Sequence, residues 1–245
     1  MKCLCKNTIS VLGTLGLSLI FILFWEISTQ AQTLPPDVGL VTQLSGEATY
    51  WNEGYQKTTE KVQALMRIRQ GDHFKLSAGA TIQLVYFQNG RQETWKGSAT
   101  FIVGNEQSQV EGEKQIQPEV VFLPTEAYQG IRRIPVVLRR ARLGRSGGMM
   151  VRGGGVETSQ KPIIPTKEER TEIAMAKENY QKMRKQVKAD DITPELNFLG
   201  VLADYEQYGE MEKIINEALK IQPDHQVLKE LNEWIKVQRA QAPKK

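Results

Sequence analysis

Seven arginines between positions 132 and 152 are the side chains of this sequence best suited to holding a ligand. Arg132, Arg133, Arg139, Arg140, Arg142, Arg145 and Arg152 stand in a stretch, 132–165, whose other charges are Lys161 and Glu157. A guanidinium presents a planar fork of donors that can meet a carboxylate or phosphate through two hydrogen bonds at once. Residues 32–131 carry 8 basic and 11 acidic side chains and residues 166–245 carry 14 and 15, so the net charge of +4 is a local property of this block. Like charges in a row repel and favour an external anion. The block therefore reads as an anion-binding strap for acidic polymers or lipid headgroups. The competing reading is a strand edge followed by a solvated linker, in which arginine discourages edge pairing. Gly153-Gly154-Gly155, Pro162 and Pro165 mark a connector.

Other reactive patterns are incomplete. His73 and His225 are the only histidines, and without nearby Cys they match no usual zinc spacing. His73 follows Gly71-Asp72 and reads as a solvated turn residue. Gly144-Arg145-Ser146-Gly147-Gly148 fits the G-x-S-x-G nucleophile pattern, but Met149-Met150-Val151-Arg152-Gly153 after it does not open a helix. Gly148 and Gly153 have the first spacing of a phosphate loop, but Gly154-Gly155 occupies the place of Lys-Ser/Thr. Asp190-Asp191 reads as a helix cap. No catalytic residue, cofactor or metal is expected. A glycan- or ester-active hydrolase remains as a contrary reading, resting on Ser146 or on a chance pair among 28 acids.

The compartment is read from residues 1–31. Lys2 and Lys6 give a positive start, Asn7 to Trp25 is uncharged, and Thr29 and Ala31 stand at the −3 and −1 positions of a cut. That is the layout of a secretory signal peptide. Left uncleaved, the 19-residue uncharged run is an anchor at the short end of membrane-spanning length. Either way the remainder is expected outside the inner membrane, in a bacterial periplasm or envelope. Membrane contact is expected only if this segment stays, and nucleic acid is not expected as a partner. Cys3 and Cys5 both precede the cut, so the mature chain should hold no disulfide.

The elements that would position these groups fall in two parts. From Val38 to Val103 short runs rich in β-branched and aromatic residues alternate with Gly. Ile82, Leu84 and Tyr86 fall on one face at period two. Asn89-Gly90 is expected to supply both positive-φ positions of a tight hairpin. Trp51, Tyr55, Tyr86 and Trp95 read as core, with sugar stacking as the alternative.

Within this part the order is Ser45-Gly46-Glu47-Ala48, then Arg69-Gln70-Gly71-Asp72-His73-Phe74. Ala80-Thr81-Ile82-Gln83-Leu84, Asn89-Gly90-Arg91 and Gly97-Ser98-Ala99-Thr100-Phe101 follow. It resembles the FecR-like domain, with its SG-x-[VA] opening strand, G-D-x-[ILF] step, D/N-G turn and closing apolar strand. The resemblance covers residues 40–104, about a quarter of the chain. It implies a compact all-β, solenoid- or sandwich-like module outside the cytoplasmic membrane. In the family's namesake regulators that module senses a partner protein. Their sigma-factor-binding segment has no counterpart in the six residues before the apolar run, so an anti-sigma role is not expected.

From Thr166 onward the pattern is helical. Thr166 and Glu169 make a capping box, and Ile173, Ala176, Tyr180, Met183 and Val187 form a stripe. Thr193-Pro194-Glu195 opens a second helix expected to end near Tyr208-Gly209. A third runs from Met211 to Pro223, and a fourth carries Val227, Leu228, Leu231, Trp234 and Ile235. Leu199-Gly200, Tyr205, Gly209, Ala218-Leu219 and Pro223 resemble one degenerate tetratricopeptide repeat. The sequence thus predicts a multi-domain chain: leader or anchor 1–31, all-β domain 32–131, Arg/Gly-rich segment 132–165 and all-α helical-hairpin domain 166–245. The expected role is a non-enzymatic envelope binding or adaptor protein, contacting a protein partner through 166–245. A membrane-anchored regulator sensing envelope signals is the alternative.

Overall fold

The computed structural model describes residues 34–112, 116–145 and 165–241. The leader, Ser146, Arg152 and the Gly/Pro connector lie outside the described residues. The described chain is a β part followed by a helical part. β1 (Asp37–Ser45), β4 (Arg67–Arg69), β6 (Thr81–Tyr86), β7 (Arg91–Lys96) and β10 (Glu119–Phe122) form one sheet in the order β10-β7-β6-β1-β4. β2 (Ala48–Asn52), β3 (Gln56–Lys61), β5 (His73–Leu76), β8 (Thr100–Val103) and β9 (Ser108–Val110) form the second, ordered β3-β2-β5-β8-β9. The pairings are antiparallel, with Leu40 opposite Val85 and Ile82 opposite Trp95.

The sheets pack as a sandwich because their alternating residues meet. Ile82, Leu84, Tyr86 and Trp95 from the first sheet share a buried cluster with Phe74, Leu76, Phe101 and Val103 from the second. The Trp95 and Phe101 rings stack 4.2 Å apart, and Phe74 and Phe101 5.3 Å apart. Tyr86 and Trp95 are core, as expected; Trp51 and Tyr55 are half-buried.

The intervening residues of the first sheet face a helical layer. Leu40, Leu65 and Val85 join Ile131, Ile134, Leu196 and Leu231 in a second buried cluster. The helices are α1 (Thr125–Ile131), α2 (Ile134–Arg145), α3 (Lys167–Gln186), α4 (Thr193–Asp204), α5 (Tyr208–Ile221) and α6 (Gln226–Gln241). None of the described helices is long and apolar enough to cross a membrane. α4 is buried all round from Thr193 to Gly200, as suits a central helix. α1 crosses it in near backbone contact: a Cβ on Gly200 would lie 2.0 Å from the Gly130 carbonyl oxygen, and one on Gly130 2.1 Å from that of Asn197. The Gly130 N–H donates to Asn197 Oδ1 at 3.0 Å.

Local signals resolve case by case. The capping box forms, with Glu169 N–H donating to Thr166 Oγ1 at 3.2 Å and Thr166 N–H to Glu169 Oε2 at 2.7 Å. The Asn89-Gly90 hairpin differs from expectation: four residues separate β6 from β7, and of the pair only Gly90 has positive φ. Asn89 instead accepts the Arg91 N–H through its side chain at 3.0 Å. α4 ends at Asp204, not near Gly209. Glu206 takes the left-handed conformation (φ 51°), and the Gln207 N–H closes onto the Leu202 carbonyl at 3.0 Å. Gly209 lies inside α5.

Two of the helical glycines, Gly130 and Gly209, allow a direct comparison. Gly130→Ala should destabilise by about 2 kcal/mol or more, because two backbones must part. Gly209→Ala, whose Cβ meets nothing within 4 Å, should be neutral or stabilising by up to about 1 kcal/mol. Urea titration of both variants tests the helix crossing; equal midpoints would refute it.

Candidate functional site

The described start of the arginine block, residues 132–145, is mostly helix. Ile134, Val137, Leu138 and Ala141 follow the i, i+3, i+4, i+7 pattern and are buried, which lays 134–145 against α4 and α6. A strand edge does not describe residues 134–145, and the connector that follows lies outside the described residues. The helix distributes the arginines around its axis. Arg133 Nε pairs with Asp204 Oδ2 at 3.0 Å, and Arg140 lies close enough to Tyr208 to act on its hydroxyl electrostatically. Arg132 is exposed. Arg139 and Arg142 are exposed on the side facing the β sandwich and, among the described residues, have no carboxylate within ion-pair distance. The side chains of Arg145 and Arg152 lie outside the described residues.

Arg139 and Arg142 border cavities at the junction of the β and helical parts. The larger, about 830 Å³, lies between the end of β1, Gln63-Ala64 and the α5–α6 turn; Ser45, Arg142, Asp190, His225 and Glu230 contribute to its lining. The smaller, about 350 Å³, lies between β4 and α2 and is lined by Arg67, Arg69, Arg139 and Arg142 together with Tyr50, Met66, Pro135 and Leu138. Gln63, Ala64 and Arg142 belong to both.

Residues 63–66, a strap of β-part backbone bordering both cavities, are strained. Leu65 is buried at φ 61°, a conformation that costs a non-glycine residue about 1–2 kcal/mol. Two hydrogen bonds hold it there: Leu65 N–H to the Val41 carbonyl at 2.8 Å, and Val41 N–H to that of Met66 at 2.9 Å. The β4 arginines are anchored too. Asp37 accepts from Arg67 at 2.7 Å and from Arg69 Nε at 3.0 Å, and the Arg69 guanidinium lies 4.9 Å from the Tyr55 ring. Tyr55 donates to buried Asp72 at 2.6 Å, which also accepts from Asn52 and from the Arg69 N–H. Burial raises the Asp72 carboxyl above the usual range, and burial with the Asp72 bond raises the Tyr55 hydroxyl.

Asp191 ties the helical layer to the sheet. Its Oδ1 accepts the Thr193 N–H at 2.8 Å, in keeping with the expected cap. Its Oδ2 accepts from Gln83 of β6 and Gln92 of β7, both at 3.0 Å. Asp191→Ala would leave two buried amides without an acceptor, each a loss of about 1–3 kcal/mol.

His225 caps α6, its Nδ1 accepting the Leu228 N–H at 3.3 Å while Nε2 is buried without a partner. Burial holds the imidazole below its usual 6.5. The fold thus favours the neutral ring, so this stabilisation is present above that value and is lost as pH falls through it toward the folded pKa. Melting temperature should fall on acidification in wild type and fall less in His225→Asn, which keeps a capping oxygen but does not titrate. Parallel pH profiles would refute this.

His73 is not a solvated turn residue. It is in β5, stacks on Trp51 at 5.0 Å and contacts Glu111 Oε2 at 2.9 Å. Only the strand alternation across Gly71-Asp72 hinted at that. Among the described residues no three His, Cys, Asp or Glu side chains gather as metal ligands. The arrangement can hold a charged, partly apolar ligand against anchored guanidinium groups. Compared with protein-family models, curated proteins and solved structures, the chain matches none.

Proposed function

We propose that this chain is an exported, non-enzymatic binding or adaptor protein of a bacterial envelope, with a FecR-like β module whose helical partner layer completes its recognition site. The observation that carries the reading is the junction of the two cavities, where a strained strap, Gln63 to Met66, is held between β1 and α2. Strained backbone persists where the surroundings over-determine it, and such positions cluster at ligand-binding sites. A pocket lined by apolar floor and a few convergent charged groups suits binding. The leader pattern supports export, and the order of the β motifs supports the family resemblance. The helical partner surface is then the part of 166–245 that borders the cavities, from Ile221 to Glu230.

Deleting the helices would not test this, because it would bare Leu40, Val85 and the Gln83 and Gln92 amides. A photoreactive residue placed at exposed Gln63 in the full chain, with another at exposed Lys177 on α3 as control, tests it in cells. A defined protein adduct is expected from position 63 only, in the envelope fraction. Retention in the cytoplasm, or adducts equal at both positions, would refute the proposal.

A further inference from the structure

We infer that the cavity between β4 and α2 is a carboxylate-recognition site, and that its ligand is an acidic peptide segment carrying apolar residues between its acids. The inference rests on the binding reading above and names the chemistry of its partner. Four guanidinium groups border the cavity, two from the β sandwich and two from α2, and no acid is among its lining residues.

The protein itself shows how half of these groups bind a carboxylate. Asp37 is gripped by both Arg67 and Arg69, at 2.7 and 3.0 Å. Arg139 and Arg142 are one helical turn apart on the opposite wall, so they share a face and lack any such carboxylate among the described residues. Asp37 compensates one of the four charges, and Tyr50, also in the lining, donates to Glu60. On the α2 wall Arg139 and Arg142 have, among the described residues, no carboxylate within ion-pair distance. Ion pairs on a partly enclosed wall are screened less than those in open solvent.

The apolar lining decides what carries the carboxylate. Met66, Pro135 and Leu138 share the lining with the guanidinium groups, so a bare inorganic anion would leave that apolar surface unmatched. β4 is the terminal strand of its sheet, so one of its backbone edges has no neighbouring strand among the described residues. An extended chain with acids and apolar residues in alternation answers both features. Its acids alternate to one side and its apolar residues to the other. Arginine forks favour carboxylates through paired, charge-assisted hydrogen bonds.

The test uses the full chain and a fluorescent peptide of alternating Glu and Leu, with a Gln-for-Glu version, inorganic phosphate and phosphatidylglycerol vesicles as separate probes. The Glu peptide should bind, and Arg139→Gln with Arg142→Gln should weaken it about tenfold or more, since each charge-assisted bond lost is large on this scale. Both arginines are exposed, so the variant should keep its melting temperature. Arg132→Gln, on the same segment but away from the cavity, should bind as wild type does. Equal loss in Arg132→Gln, equal binding of the Gln peptide, or binding of vesicles or phosphate in preference to the peptide would each overturn the inference. A protein adduct at position 63 that survives the double arginine variant would overturn this site while leaving the adaptor reading intact.

Discussion

The first sheet is buried on both faces at its centre, along β6 from Ile82 to Tyr86, and the rest of the molecule follows from that constraint. One face supplies Ile82, Leu84, Tyr86 and Trp95 to the sandwich; the other supplies Leu40 and Val85 to the helices. A sheet buried on both sides must find partners for any polar side chain it carries, because an unpaired buried amide costs about 1–3 kcal/mol. Gln83 and Gln92 meet that demand through Asp191. The same residue starts α4, so the position of the central helix and the polar balance of the sheet are set by one carboxylate. α1, α3, α5 and α2 then pack around α4.

The cavities are a by-product of that arrangement. Helices laid across a twisted sheet meet its middle closely and its corner less well. Here the corner lies beside β4 and the end of β1, where the strap from Gln63 to Met66 crosses. The positive φ of Leu65 keeps the strap's Leu65 side chain in the buried cluster while Gln63 and Ala64 face the two openings.

Much of the architecture was legible from local pattern. The period-two run Ile82-Leu84-Tyr86, the capping box at Thr166 and the stripe of Met211, Ile214, Ile215 and Ala218 each produced the element expected. α2 was legible but overlooked: Ile134, Val137, Leu138 and Ala141 carry a helical stripe, masked by the arginines between them. Two features had no local signal. A leucine at position 65 gives no warning of a left-handed backbone, and nothing near Asp191 announces glutamines 108 and 99 residues away. The site was half legible for the same reason. Arginine chemistry is visible in a sequence, but the pairing of Arg139 and Arg142 with Arg67 and Arg69 depends on a contact between distant segments.

That long-range pairing sets an order of events for a chain that emerges from its N-terminus. Both sheets can be complete once Phe122 has appeared, yet the outward amides of Gln83 and Gln92 and the greasy patch around Leu40 must wait for Asp191 and α4. During that interval the nascent β part presents a sticky, half-finished surface to its neighbours. Late, non-local closure of this kind is slow and exposed to misassociation. Yield of the folded protein should therefore depend less on how stable the sandwich is than on how soon its last helices arrive.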